Sequence, residues 1–247
     1  MTSEVSSGPA VAAGLWRPNR REALLLAMLP FVAVALLNHH YKDSLLAWGL
    51  AWYWAADAVH FVVVPVASWV FLSRTTGLQF ADMGLSRLWR QDRYRPRLTW
   101  GFAVFVALFM LAAYWPICEI VLRLFRSLGN PVGLNTLMPT GYGAWLVVSF
   151  YMAASAALAE ELIWRGMAWT YFCAALPARY RRLTYVLATS AVFAVAHSEQ
   201  GPGGVLAALW FGVLAAGLYT KVRSLWPIVL CHFMVDWIIF GPWSRPG

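Results

Sequence analysis

Apolar residues run almost unbroken for about 20 positions at a time along this chain, and short polar or basic clusters separate the runs. Runs of that length have the reach of helices that cross a hydrocarbon core. The pattern predicts seven spans, at about 22–38, 45–72, 99–122, 143–168, 184–199, 204–219 and 225–240. The second and fourth are long enough to tilt, to break or to continue as an interfacial helix. Glycine and proline mark the joins, as at Gly129 to Pro131, Pro177 and Gly201 to Gly204. No internal repeat is visible, and low complexity is confined to the Ser/Ala/Gly-rich first 14 residues. The expected fold is all-α: a polytopic transmembrane bundle of about seven to eight spans. Residues 1–21 read as a basic cytoplasmic tail and 22–247 as a single integral membrane domain.

Composition agrees with the pattern. Of 247 residues, 61% are hydrophobic and 12% charged, and the mean hydropathy is +0.60. A disordered chain needs the opposite balance, and a soluble domain carries about twice the charge. The net charge of +8 suggests nucleic acid only until the positions are read. With the N-terminus inside, the inner segments hold Arg17, Arg20, Arg21, Arg74, Arg87, Arg90, Arg93, Arg95, Arg97, Arg179, Arg181, Arg182, Lys221 and Arg223. The outer ones hold Lys42, Arg123, Arg126 and Arg245, and Arg165 lies within a span. That asymmetry favours an inside N-terminus and an outside C-terminus. Many tryptophans, among them Trp16, Trp100, Trp145, Trp226 and Trp243, fall near span ends, where an interfacial belt accounts for them. The first span resembles a signal sequence in having Arg20 and Arg21 ahead of Ala33-Val34-Ala35, but removing it would disturb the charge alternation. The basic 73–98 loop, with Leu88, Trp89 and Tyr94, suits either anionic headgroups or plain solvation. Cys118, Cys173 and Cys231 sit in apolar runs without CxxC spacing and read as small buried residues.

A charge in hydrocarbon costs about 3 kcal/mol on insertion scales, so each intramembrane ionisable residue needs a reason. The candidates are Asp57, His60, Glu119, Glu160, Glu161, Arg165, His197, His232 and Asp236. Glu161 and Arg165 are four apart and can pair on one helix face. Glu160 is displaced by about 100° and points elsewhere. Phe193 shares a face with His197, and His232 shares one with Asp236. Three helices thus offer acidic or imidazole groups to one polar site inside a bundle. Such groups can activate a water, bind a metal, relay protons or simply fix helix packing. Asp57 and His60 read as a hydrogen-bonded i,i+3 pair with a supporting role in the site as the alternative, and Glu119 as interfacial.

Ala159-Glu160-Glu161-Leu162-Ile163-Trp164-Arg165-Gly166 resembles the EExxxR motif of the CAAX-protease and bacteriocin-processing (CPBP, or ABI) family. Phe193 to His197 resembles its FxxxH motif, and His232 to Asp236 its HxxxN or HxxxD motif. The resemblance covers roughly residues 140–240; three motifs in order on three expected spans make it specific. It implies a glutamic-type intramembrane protease similar to the Ras-converting CAAX endopeptidase. By that resemblance Glu160 is the general base that activates water and His197 assists it. His232 and Asp236 stabilise the oxyanion, and Glu161 pairs with Arg165. Asp236 departs from the Asn of many relatives: an amide donates to an oxyanion, whereas a carboxyl group donates only when protonated. Asp236 can instead orient His232 or the water. No cofactor is expected; zinc held by two His and carboxylates is chemically allowed, but there is no HExxH.

The charge-derived topology puts His197 near the outer end of its span and Glu160 toward the inner end of its own, roughly 15 Å apart in depth. Either the fourth span runs on toward Leu176, opening the site to the outer half, or the orientation is reversed. The leading expectation is an endopeptidase of a bacterial plasma membrane. Its partners are membrane lipid and a peptide or protein substrate, lipid-modified or carrying a sorting signal. A non-catalytic scaffold and a proton-coupled carrier are the other classes these residues allow.

Overall fold

The computed structural model describes residues 16–26, 28, 48–85, 99–125 and 138–244. Most of the expected first span, the basic stretch 86–98 and the Gly129–Pro131 join lie outside the described residues. All described regular structure is helical.

The N-terminal helical turns at 20–26 are set by their first residues. Asn19 Oδ1 accepts from the Arg21 and Glu22 amides at 2.9 and 3.0 Å, and Glu22 Oε2 accepts from the Asn19 amide at 2.8 Å. This reciprocal box satisfies amides that no intrahelical partner can reach. Helix α1 (Leu50–Ala58) passes through a wide π turn, Val59–Val63, into α2 (Val64–Thr76). Pro65, in the first turn of α2, cannot donate and crowds the carbonyl four residues back, which explains the widening just before it. Gly77 closes α2 in the left-handed conformation, φ 74°, its amide bonded to Ser73 O at 3.1 Å.

Helix α3 spans Trp100–Phe125. Helix α4 (Tyr142–Glu161) runs through a second π turn, Leu162–Met167, into α5 (Ala168–Ala175). Then follow α6 (Ala178–Ala196), α7 (Gly201–Val222) and α8 (Trp226–Phe240). Helix α6 packs along α7, α4 along α8, and α3 against both α7 and α8. Small residues allow a close approach of α6 and α7: a Cβ on Gly212 of α7 would lie 3.0 Å from Ser190 Cα of α6.

Four described helical stretches are long and apolar enough to cross a membrane: Leu50–Thr76, Trp100–Phe125, Tyr142–Ala175 and Ser198–Val222. The chain is an integral membrane protein with the all-helical bundle its pattern predicts. Two expected spans need correction. The fourth continues past 168 to Ala175, because the π turn at Leu162–Met167 widens the helix without ending it. The stretch 184–196 is the far part of α6, whose first turns carry Arg179, Arg181 and Arg182 and so dilute its apolarity, and Ser198 and Glu199 already belong to the turn that opens the next apolar stretch. The last, α8, keeps the expected bounds and is apolar; its 15 residues make about 22 Å of helix, shorter than the other apolar stretches.

Basic residues gather at one end. There Trp16 N donates to Thr75 O at 2.9 Å, Thr76 meets the Tyr171 hydroxyl at 3.2 Å, and Arg223 lies 4.5 Å over the Trp169 ring. Trp100 and Trp226 stack edge-on at 5.4 Å between the starts of α3 and α8. Trp145, expected in the interfacial belt, is instead 3% exposed. Its Nε1 donates to Phe240 O at 2.9 Å, occupying a carbonyl that the end of α8 leaves without an intrahelical donor.

Candidate active site

The site begins on the continuous helix Tyr142–Ala175, where Glu160 and Glu161 fall near mid-length. Past them the backbone widens into the π turn, which carries Arg165 and Gly166. A Cβ at Gly166 would lie 2.9 Å from Met83 Cβ and 3.0 Å from Met83 O. Only glycine lets the loop after α2 press onto the motif helix here. That loop is pinned in turn to the α7–α8 junction, where Leu225 N donates to Gly84 O at 3.0 Å.

Glu161 and Arg165 are both fully buried and 3.2 Å apart. The guanidinium also lies 4.6 Å from the centre of the Phe193 ring, whose negative face favours a cation. Tyr185 donates to the Arg165 carbonyl at 3.3 Å, a bond that ties the π turn to α6. Thus Phe193, first met as a motif residue, works by packing on a charge.

His232 is where the three helices meet. Its Nδ1 donates to Glu161 Oε1 at 2.8 Å, while Nε2 lies 3.9 Å from Glu160 Oε2 and 3.6 Å from Asp236 Oδ2. Position on the helix alone sends Glu160 away from Glu161. In the structure the two carboxylates flank one imidazole, one at each ring nitrogen, because a ring wide enough to bridge about 100° of helix surface lies across them. His232 also faces the rings of Phe211, at 4.8 Å, and Phe193, at 6.2 Å.

His197 ends α6, and its ring lies 4.5 Å from Phe193, on whose carbonyl Nδ1 makes a 2.8 Å hydrogen bond. A carbonyl only accepts, so Nδ1 carries the proton and a neutral ring offers Nε2 as acceptor. Both imidazoles therefore flank one phenyl ring. The longer fourth helix puts Glu160 near its middle, and the Phe193 ring joins His197, at 4.5 Å, to His232, at 6.2 Å.

The structure thus joins Glu160, Glu161, Arg165, Phe193, His197, His232 and Asp236 in one cluster. Phe211 and Tyr185 belong to it as well and carried no motif; only their position on an inward helix face distinguishes them. Glu119, by contrast, pairs with Arg123 at 3.3 Å on the exposed end of α3. Among the described residues no group of three or more His, Cys, Asp and Glu is arranged so that it could hold a metal ion, the carboxylates around His232 included.

The profile of the family described as type II CAAX prenyl endopeptidase, Rce1-like, matches residues 142–238. Over this segment the chain is similar to that family. The Rce1-like segment starts with α4 and ends within α8, so it holds every residue of the cluster. It also coincides with the stretch singled out by the three motifs. No curated protein and no solved structure matches the chain. The match supports a membrane endopeptidase of CAAX type as the general class, and with it a membrane-associated peptide or protein as the general kind of substrate.

Proposed function

We propose that the chain hydrolyses a peptide bond of a membrane-associated peptide or protein, using a water activated by Glu160. The observation that carries this reading is the arrangement around His232, where Nδ1 is occupied by Glu161 and Nε2 is turned toward Glu160 and Asp236. In this reading Glu160 takes the proton of the attacking water, and His197 helps to hold that water. His232, oriented by Glu161 and acting as an imidazolium with both ring nitrogens protonated, donates from Nε2 to the oxyanion of the tetrahedral intermediate, where a preorganised donor acts most strongly. The Glu161–Arg165 pair holds both the helix and the ring in place. Asp236, at 3.6 Å from Nε2, orients His232 when ionised and donates to the oxyanion when protonated. The reaction needs no cofactor.

The membrane orientation is part of the proposal. Arg17, Arg74, Arg179, Arg182, Lys221 and Arg223 share one end of the bundle, which supports a cytoplasmic N-terminus. His197 and the turn Ser198–Gln200 then belong to the outer half. Cysteine placed at Ser198 should react with an impermeant reagent from outside; exclusive labelling from the cytoplasm would reverse the orientation.

The function is tested by Glu160→Gln, nearly the same in shape but unable to act as a base. Cleavage of membrane peptides should be abolished while the protein still accumulates folded, and retained cleavage would end the mechanism.

A further inference from the structure

The Rce1-like segment leaves out the span Leu50–Thr76, which has an unusual cross-section. Only 22% of its most apolar window is buried. In its first turns the side chains it buries are Tyr53, Asp57 and His60, at 2%, 4% and 5% exposure. Spacings of four and three put them on one helix face. Trp52, Val59, Val62 and Val63 around them are exposed and apolar. This span therefore turns ionisable groups inward and hydrocarbon outward, which is stable only where the inward face meets polar neighbours or water.

Some of those neighbours stand on elements that also carry the site. The Tyr151 hydroxyl of α4 faces both the Asp57 carboxylate and the Ser155 hydroxyl, and the Tyr151 ring lies 6.4 Å from that of Trp54. Tyr53 lies within electrostatic reach of Asp57 and of Glu199, two residues beyond His197. The strip thus bridges the helix that carries Glu160 and the turn that follows His197. His60 lies in the π turn Val59–Val63, which packs on α4. Turns of this kind re-aim a side chain and recur at functional sites.

What such a strip can do follows from the reaction, and the inference rests on the proposed function. A peptide cleaved at membrane depth must be unwound around the scissile bond. Its flanking N–H and C=O groups then need partners, since hydrocarbon offers none. Glu160 and His232 serve the scissile bond itself. We infer that Tyr53, Asp57, His60 and Tyr151 form a subsite that hydrogen-bonds the unwound backbone of the substrate peptide beside that bond. Asp57 accepts from an amide N–H, the tyrosine hydroxyls donate to carbonyls, and His60 does either according to its tautomer. These are specificity-determining residues rather than catalytic ones.

The test has two arms. In the first, a benzophenone amino acid is placed at Tyr53 in a Glu160→Gln chain and irradiated in membranes, with the same probe at lipid-facing Val62 as control. Peptide adducts should form from position 53 at several times the control level; equal yields would overturn the subsite. In the second, a synthetic peptide spanning a terminus that depends on Glu160 is titrated with wild type, Asp57→Asn, Tyr53→Phe and Tyr151→Phe. Loss of one such hydrogen bond should raise KM about tenfold for Asp57→Asn and less for each hydroxyl, with kcat nearly unchanged. A fall in kcat at constant KM, or no change in any of the three, would overturn the proposal. The two Phe variants remove a single oxygen and keep the test alive if Asp57→Asn fails to fold. Adducts at Tyr53 without any terminus that depends on Glu160 would instead defeat the proposed function and leave a peptide-binding site.

Discussion

Two Glu-x-x-x-Arg pairs stand on two long apolar helices of this protein. On α3, Glu119 and Arg123 lie 3.3 Å apart with side chains 41% and 79% exposed. On the helix that begins as α4, Glu161 and Arg165 lie 3.2 Å apart with both side chains at 0%. Sequence spacing brings the partners together in both cases. Surroundings then decide what the contact is worth. The α3 pair competes with water or headgroups at a span end, where such contacts contribute little. The buried pair has no competing solvent and is tied to neighbours on other helices: Phe193 under the guanidinium, Tyr185 on the Arg165 carbonyl, and His232 on the remaining Glu161 oxygen. Identical spacing thus yields an ornament in one place and the frame of a site in the other.

The comparison can be broken, beginning with the largest effect. Glu160→Gln should abolish proteolysis, a loss of at least about a thousandfold if the general base and its water are both removed, measured as the rate of peptide release in purified membranes. Arg165→Met should leave the Glu161 charge buried without its partner and cost about 3–5 kcal/mol. Thermal unfolding in detergent would show this. The double variant Arg165→Met with Glu161→Gln should recover part of that stability but no activity, since His232 then loses its orienting carboxylate. Gly166→Ala should cost about 1–3 kcal/mol through the forced clash with Met83. At the small end, Arg123→Ala should change stability by less than about 1 kcal/mol and leave activity intact. If Arg123→Ala matched Arg165→Met, burial would not be what separates the pairs.

Much of this was legible in the chain. Long apolar runs announced a helical membrane bundle, and Glu160, His197, His232 and Asp236 stood out because ionisable residues in hydrocarbon demand a reason. The harder features depend on geometry between helices, which spacing along one helix cannot supply. The continuation of the fourth span toward Leu176 was open in the sequence, but the π turn after Glu161 that carries the helix on to Ala175 was not. The imidazole of His232 bridges two carboxylates that a helical wheel sends apart. Trp145 reads as an interfacial residue by position, yet a carbonyl at the end of α8 draws it inside. Asp57 and His60 were visible as ionisable residues, but their neighbours on α4 and near His197 were not.

The most direct measurement counts new peptide termini in the membrane fraction of cells carrying wild type, Glu160→Gln or Glu119→Gln, by mass spectrometry. The same chemical change is made in each variant, once in the site and once on the exposed face of α3. Termini present with wild type and Glu119→Gln but missing with Glu160→Gln would be the predicted result. Termini that persist with Glu160→Gln would contradict a protease built on that carboxylate.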